Sequence, residues 1–392
     1  MQRYFMQFNY YGTRFQGLQK QLCRRKIEGM TEVEVQTMYE KDEGTIQGAL
    51  ESAVWNIVKP SNPVKFVTSS RTDKGVHALL NTAHVDLYPS SSTGKYFPPT
   101  EITKMVNLWM IKKDLDIRIR KTMAVPPTFH SRYDVARRSY LYRLAIVPQE
   151  LGQRRQIIMG TSKTLSKRKQ AILRKQETRR DPPFLSPLEE GRYCELRNRQ
   201  GEAFDIELFK EALSVMKGVH NFSNFSKMSG HFRYFVVDGK RVEIPKTPDQ
   251  MTKEITKIEV FSQPPPLPPC IFPNYGVSGA HFLDVVIEGR SFLHNQIRRM
   301  VGAAICVANG KVPLEKVVEL LNDPEVGWDS KFFICPPSGL YLANIEYKEG
   351  ALDQACESLH EMSDLEKVNI ISSHSEDSTN NLCDTQEALN FC

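Results

Sequence analysis

The feature that most limits the fold of this chain is an alternation of strand-like and helix-like segments. Residues 3–10 (RYFMQFNY) are rich in aromatic side chains and end at Tyr11-Gly12, which is typical of a β-strand. Thr45 then begins a segment with apolar side chains at helical spacing, which Pro60 ends. Further strands are predicted at 64–68, 83–87, 117–120, 138–146 and 281–288, and further helices at 98–110, 204–219, 291–309 and 314–322.

This mixture, in which no sequence repeat is visible, predicts an α+β fold with sheets covered by helices on one face. Two segments interrupt it: residues 22–44 are a polar insertion, and residues 154–180 carry ten Lys or Arg against the single acid Glu177. We therefore divide the chain into four parts. These are an N-terminal half at 1–150, a basic insertion or linker at 151–190, a C-terminal half at 191–348 and an acidic tail at 349–392, which we expect to be disordered.

The charge is distributed unevenly along the chain. The net charge is +6, but residues 349–392 hold ten carboxylates and one lysine, a sum of −9, so residues 1–348 carry +15. A positive charge of this size on residues 1–348 suggests a polyanionic partner, of which nucleic acid is the first candidate. A well-solvated surface without such a partner would have the same charge pattern. The basic insertion could likewise bind RNA phosphates or be a solvated arm.

Composition narrows the class of protein further. The eight cysteines form no CxxC pair and have no histidine spacing that suggests zinc, so we expect reduced thiols. No apolar run approaches the length of a membrane span, and the N-terminus shows neither a secretory signal nor a long transit peptide. We therefore expect no membrane association, and the compartment stays open between mitochondrion, cytoplasm and nucleus.

The segment with the most chemistry is 69–78, which reads SSRTDKGVHA. It places Arg71, Asp73, Lys74 and His77 in a turn after a strand, and Gly75 permits backbone angles that other residues resist. A carboxylate among cations stays ionised, and an ionised carboxylate can act as a covalent nucleophile. On chemistry alone, an aspartate that only caps a polar loop is the favoured interpretation of the segment.

The segment resembles the core motif R-T-D-x-G-V-H of the TruA family of tRNA pseudouridine synthases. Other segments resemble that family's motifs in the same order. These are 8–12 (FNYYG), 15–19 (FQGLQ), 46–51 (IQGALE), 129–132 (FHSR), 138–142 (RSYLY), 218–225 (GVHNFSNF), 292–302 (FLHNQIRRMVG) and 336–342 (PPSGLYL). The chain looks closest to the pseudouridine-synthase-like branch of animals. It departs from the pattern at Tyr11, which replaces an acid, at 252–258 (TKEITKI), and in its two long insertions.

The resemblance implies two similar halves, each an antiparallel sheet with helices on one face, and a catalytic cleft between them. It implies that Asp73 attacks a uridine taken out of its stack, at C6 of the base or C1′ of the sugar. Tyr140 would hold the face of that base, and Arg298, on an otherwise apolar helix, would pair with Asp73. No cofactor and no metal are implied.

Other residues near these motifs have less specific roles. Arg71 could reach a phosphate or help displace the base, Lys74 is expected only near a phosphate, and Arg299 is expected at the surface or on a phosphate. Structural packing is favoured for His77 and Tyr142. The partner implied is tRNA, bound by a monomer or homodimer, and no obligatory protein partner is evident.

Two other functions are compatible with parts of the pattern. One is a non-catalytic RNA-binding protein that assists tRNA folding, against which the presence of both Asp73 and Arg298 argues. The other is an enzyme that cleaves the glycosidic bond without rejoining it. Glycoside hydrolases usually use two carboxylates, and the motifs place only one here.

Overall fold

The computed structural model describes residues 1–20, 44–147, 185, 189, 191–197, 204–227, 232–237, 240–267 and 280–352. The predicted polar insertion lies outside these residues except for Gly44. The same holds for the basic segment 154–180 and for the acidic tail from residue 353 onward.

The described residues form a mixed α+β structure. The strands are β1 (Gln2–Tyr10), β2 (Phe66–Thr68), β3 (His77–Leu87), β4 (Ile117–Val125), β5 (Val135–Val147), β6 (Cys194–Arg197), β7 (Gly218–Asn221), β8 (Phe232–Val237), β9 (Lys240–Pro245), β10 (Thr252–Gln263), β11 (His281–Gly289) and β12 (Leu340–Tyr347). The helices are α1 (Ile46–Val58), α2 (Pro99–Lys112), α3 (Ile206–Ser214), α4 (Pro248–Met251), α5 (Gln296–Ala308) and α6 (Leu314–Asn322). The prediction of an α+β fold is confirmed.

Ten of the twelve strands described above form one continuous sheet. Its order is β4-β1-β3-β12-β5-β11-β10-β7, with β2 added on β3 and β6 on β5, while β8 and β9 form a separate hairpin. All pairs in the large sheet are antiparallel except β12 with β3 and β5 with β6. The last strand therefore lies in the middle of the sheet and joins the early strands to the later ones.

The core explains why these segments become strands and helices. Along β1, Tyr4, Met6 and Phe8 are buried in the main core, which also contains Leu50 of α1. Phe5, between them in sequence, belongs to a separate cluster, because side chains alternate between the two faces of a strand. Thr45 caps α1 by accepting the backbone N–H of Gly48 through its hydroxyl (3.2 Å).

Two predicted helices have different bounds in the structure. The helix predicted at 204–219 ends at Ser214, and Gly218, with a φ of 106°, begins strand β7 instead. The helix predicted at 291–309 begins only at Gln296, because residues 291–295 form a turn in which Asn295 has a φ of 64°. That turn is part of the candidate site below. No helix among the described residues is long and apolar enough to cross a bilayer.

One buried histidine in the sheet should make the fold sensitive to acid. Burial, with a smaller contribution from Arg3, lowers the pKa of His84 on β3 to about 4. The folded protein therefore favours the neutral imidazole, whereas the unfolded chain takes up a proton near pH 6.5. Stability is fully present above pH 6.5 and is lost as the pH falls towards 4, by about 3 kcal/mol from this group.

Urea unfolding measured between pH 4 and 7 tests this expectation. The variant His84→Gln should show a weaker dependence on pH over that interval, even if it is less stable at pH 7. His220, a partly buried histidine on β7, gives the control variant His220→Gln, whose slope is compared with that of His84→Gln. Equal slopes for all three proteins would show that His84 does not govern acid stability.

Candidate functional site

A cleft of about 1240 Å³ opens where segments distant in sequence converge on the sheet. Its walls are the loop between β2 and β3, the start of β5, the loop between β11 and α5, and the turn before β12. Asp73, Tyr140 and Arg298 all line this cleft. The structure thus brings together three candidate residues that lie far apart in the chain.

The loop that carries Asp73 is held by hydrogen bonds of its backbone and of the Thr72 hydroxyl. Thr72 is buried, its carbonyl accepts the N–H of Leu18 (3.1 Å), and its hydroxyl bonds to the hydroxyl of Tyr10 (2.7 Å). The N–H of Val76 donates to the carbonyl of Asp73 (3.1 Å), and Gly75 closes the turn with a φ of 80°. A side chain at position 75 would be strained, because left-handed backbone favours glycine.

A buried amide fixes the other end of the loop. The side-chain oxygen of Asn81 accepts the hydroxyl of Ser69 (3.0 Å), and its amide donates to the carbonyl of Ser70 (3.2 Å). Asn81 lies on β3, so the strand itself determines where the loop begins. The position of Asp73 is therefore set by packed structure on both sides.

His77 anchors the far side of the same loop. Its Nδ1 accepts the N–H of Gly12 (3.0 Å), so Nε2 carries the proton and donates to the carbonyls of Gly191 (2.9 Å) and Ser338 (3.1 Å). The ring stacks on Tyr341, and burial lowers its pKa, which favours the neutral form. These contacts are structural and lie away from the Asp73 carboxylate.

Two side chains of the C-terminal half reach the Asp73 carboxylate. Nη1 of Arg298 lies 3.9 Å from Oδ2, and Nε2 of His294 lies 3.3 Å from Oδ1. The Asp73 side chain is 38% exposed and that of Arg298 is 17% exposed. This pair is therefore open to solvent, and the large penalty of breaking a fully buried ion pair does not apply to it.

Arg298 is oriented by contacts other than its ion pair. Its Nε donates to the carbonyl of Cys335 (2.7 Å), and its Nη1 donates to Oδ1 of Asn295 (3.0 Å). Cys335 returns a backbone N–H to the carbonyl of Arg298 (3.2 Å). The guanidinium is thus held beside the carboxylate by the turn that precedes β12.

Tyr140 forms part of the cleft wall. Its hydroxyl bonds to that of Ser70 (2.9 Å), its ring packs edge-on against Phe292, and burial raises its pKa. Tyr142, two residues along β5, is fully buried in the core and does not line the cleft, which agrees with its predicted packing role.

The remaining predicted site residues differ in whether they line the cleft. Arg71 and Lys74 are exposed and line the cleft. Arg299 does not: it is buried, donates to the carbonyl of Asn224 (2.9 Å) and packs over the ring of Trp328. The prediction of a surface or phosphate contact for Arg299 is wrong, because adjacent helix positions point in different directions and this one points into the core.

The cleft has a strongly positive lining. Among the described residues that line it, the only carboxylate is that of Asp73, whereas eight lining side chains are cations. These are Arg71, Lys74, Arg132, Arg138, Lys227, Lys246, Arg290 and Arg298. Arg138 is oriented by the carbonyls of Ser69 (2.6 Å) and Arg290. Such a lining favours a polyanionic ligand.

Sequence reasoning missed His294 as a neighbour of Asp73. The residue lies inside the motif at 292–302 but was assigned no role. Its place in the same motif as Arg298, four residues before it, was the available signal. Within the described part of the chain, no cluster of three or more His, Cys, Asp or Glu side chains could hold a metal ion.

Comparisons with known proteins agree with the resemblance. A sequence model of a family described as tRNA pseudouridine synthase matches residues 212–348, a stretch that contains His294 and Arg298 but not Asp73. Relatives extend the similarity over most of the chain. A Xenopus laevis protein named tRNA pseudouridine synthase-like 1 is 27% identical over 88% of this chain and 91% of its own.

Two further relatives come from distant organisms. The human tRNA pseudouridine synthase-like 1 is 25% identical, covering 88% of this chain and 90% of its own. A tRNA pseudouridine synthase A of Leuconostoc citreum is also 25% identical, covering 89% of this chain and 98% of its own. The similarity therefore includes proteins of both animals and bacteria.

Proposed function

From this similarity we propose that the chain is an isomerase of the tRNA pseudouridine synthase family, which converts uridine to pseudouridine in tRNA with Asp73 as the nucleophile. The observation that carries the proposal is the cleft itself. The described residues that line it include one carboxylate, that of Asp73, and eight cations, a lining suited to an RNA backbone and a carboxylate nucleophile.

The halves of the chain contribute different parts of the site. Asp73 and Tyr140 come from the first 150 residues, whereas His294 and Arg298 come from the later part of the chain. We propose that the cleft lies between two similar halves whose sheets merge through β12. Opposite walls from the two halves would allow an RNA stem or loop to enter along the cations and reach Asp73.

The proposed reaction begins when the target uridine leaves its stack, since the carboxylate cannot reach a stacked base. Arg71, exposed beside Asp73, is suited to hold a phosphate of that nucleotide or to fill the space left by the base. Tyr140 then supports the base from the cleft wall. Asp73 attacks C6 of the base or C1′ of the sugar, the base rotates, and its C5 is joined to the ribose.

Release of the C5 hydrogen tests the proposed activity. The protein is incubated with tRNA carrying tritium at C5 of its uridines, and tritium released into water is counted. Release that saturates at a defined number of uridines per tRNA is expected. If several complete tRNA pools released no tritium with the intact protein, the proposed activity would be wrong.

The cations of the cleft should determine how strongly RNA binding depends on salt. Arg132 is exposed at the cleft, so Arg132→Gln should reduce the slope of log Kd against log salt concentration by about one unit. Arg120, exposed on β4 and not part of the cleft lining, provides the matched control Arg120→Gln. Filter binding at several salt concentrations measures both, and equal slopes would place Arg132 outside the phosphate path.

A further inference from the structure

The two oxygens of the Asp73 carboxylate face different groups. His294 Nε2 lies 3.3 Å from Oδ1, which is close to hydrogen-bond length, whereas Arg298 Nη1 lies 3.9 Å from Oδ2, which is beyond it. The nearer partner of the carboxylate is therefore the histidine. Arg298 provides charge, but its hydrogen bonds go to Cys335 and Asn295.

The backbone around His294 holds this side chain towards Asp73. The carbonyl of His294 accepts the N–H of Lys227 (3.1 Å), and the side chain of Gln296 accepts the N–H of Leu293 (2.8 Å). Between them, Asn295 has a φ of 64°, a left-handed conformation that asparagine adopts more readily than most residues other than glycine. A turn fixed on both sides in this way is expected to serve the placement of a side chain.

We propose that His294 is a positioning residue for the nucleophile, which donates from Nε2 to Oδ1 of Asp73 and thereby turns Oδ2 towards the nucleotide. The inference rests on the proposed function, since it concerns the same carboxylate. It assigns separate tasks to the two groups: His294 sets the rotation of the carboxylate, and Arg298 supplies the positive charge beside the attacking oxygen.

The arrangement suits both routes open to the reaction. The electron pair of Oδ2 forms the new C–O bond. Attack at C1′ breaks the C1′–N1 bond, whose pair leaves with the base, and the C1′–O bond breaks when C5 joins C1′, so that its pair returns to the carboxylate. Attack at C6 moves the C5–C6 pair towards O4; the C1′–N1 bond then breaks, its pair stays with the base, and C5 joins C1′. On this second route, loss of the C5 proton re-forms the C5–C6 double bond and breaks the C6–O bond, whose pair returns to the carboxylate. On both routes the C5 proton goes to water, and N1 takes a proton from water.

In each of these states Oδ1 keeps an acceptor lone pair for His294. The hydrogen bond therefore need not break during the reaction, and its main effect is to hold Oδ2 in the attacking direction. Loss of this bond should lower the rate of the chemical step more than the affinity for RNA. The His294 side chain is 37% exposed, so we expect the smaller end of the range for hydrogen bonds to charged groups, about tenfold.

Two amide substitutions separate this role from simple packing. In His294→Gln the amide nitrogen can occupy the place of Nε2, whereas in His294→Asn the shorter side chain places its amide near the position of Nδ1. We expect His294→Asn to reduce the single-turnover rate of tritium release about tenfold and His294→Gln to recover most of that loss. The Kd for tRNA and the melting temperature should stay close to those of the unaltered protein in both variants.

A trapped intermediate gives a second measurement. Fluorine at C5 cannot leave as a proton does, so on the C6 route tRNA containing 5-fluorouridine should stay joined to Asp73 through the C6–O bond after the base has been rejoined. The rate of appearance of this product on a denaturing gel should fall in His294→Asn and recover in His294→Gln. This readout follows the carboxylate step directly and does not depend on proton release.

The outcomes distinguish this inference from the proposed function. If the unaltered protein releases tritium and both variants match it, His294 does not position Asp73. If both variants weaken RNA binding and leave the single-turnover rate at saturating RNA unchanged, His294 is an RNA contact and the inference is wrong. If the unaltered protein itself releases no tritium, the proposed function fails first, whatever the variants do.

Discussion

Replacing Asp73 with asparagine is expected to reduce pseudouridine formation by at least about a thousandfold, since an amide cannot supply the electron pair of a carboxylate and no other described carboxylate lines the cleft. The shape of the loop should survive, because its hydrogen bonds run through the backbone of Thr72, Asp73 and Val76 and not through the Asp73 side chain. Tritium release under single-turnover conditions measures the effect.

The affinity for RNA, unlike the activity, should increase or stay nearly unchanged in Asp73→Asn. Asp73→Asn removes a negative charge from a cleft with eight cations, so the Kd for tRNA should stay within a few-fold of the unaltered value or decrease. A matched control is Asp114→Asn, which removes one exposed carboxylate that pairs with Arg14 and lies outside the cleft lining. If Asp73→Asn kept more than a tenth of the activity, Asp73 would not be the nucleophile.

Replacing Glu51 with glutamine is expected to cost about 3–5 kcal/mol of stability, the largest effect we foresee outside the cleft. Glu51 on α1 forms a buried ion pair with Lys20 (2.7 Å) and accepts the backbone N–H of Phe66 on β2 (3.0 Å) through its other oxygen. Both charged side chains are almost fully buried. Glutamine keeps the acceptor for Phe66 but leaves the Lys20 ammonium without this carboxylate.

A double-variant cycle separates the charge from the packing. The pair Lys20→Met with Glu51→Gln removes both charges, and it should recover a large part of the stability lost in Glu51→Gln alone. Urea unfolding followed by tryptophan fluorescence gives the free energies of unfolding for the four proteins. A loss below about 1 kcal/mol for Glu51→Gln would mean that the pair is well solvated, contrary to its burial.

The Lys20–Glu51 pair is connected by short stretches of chain to the loop that carries Asp73. Leu18, two residues before Lys20, donates its N–H to Thr72, and Phe66 begins the strand that leads into residues 69–76. Glu51 is not among the residues that line the cleft, so we expect this motif residue to support the loop through packing and hydrogen bonds.

The sequence by itself determined the local elements and the identity of the nucleophile candidate. The strand β1, helix α1 and the turn around Gly75 depend on side-chain alternation, helical spacing and glycine, which are properties of neighbouring residues. The resemblance at 69–78 and 292–302 also pointed to Asp73 and Arg298 before any geometry was known. These features could be predicted because each depends on a short stretch of chain.

Only the tertiary structure decided what depends on contacts between distant segments. The insertion of β12 between β3 and β5 joins the two parts of the sheet, and no local pattern specifies that pairing. The same holds for the side of α5 on which each arginine lies: Arg298 faces the cleft, whereas Arg299 packs on Trp328 in the core. A residue type indicates which contacts are possible, but the packing of the whole chain selects one of them, as it does for His294 beside Asp73.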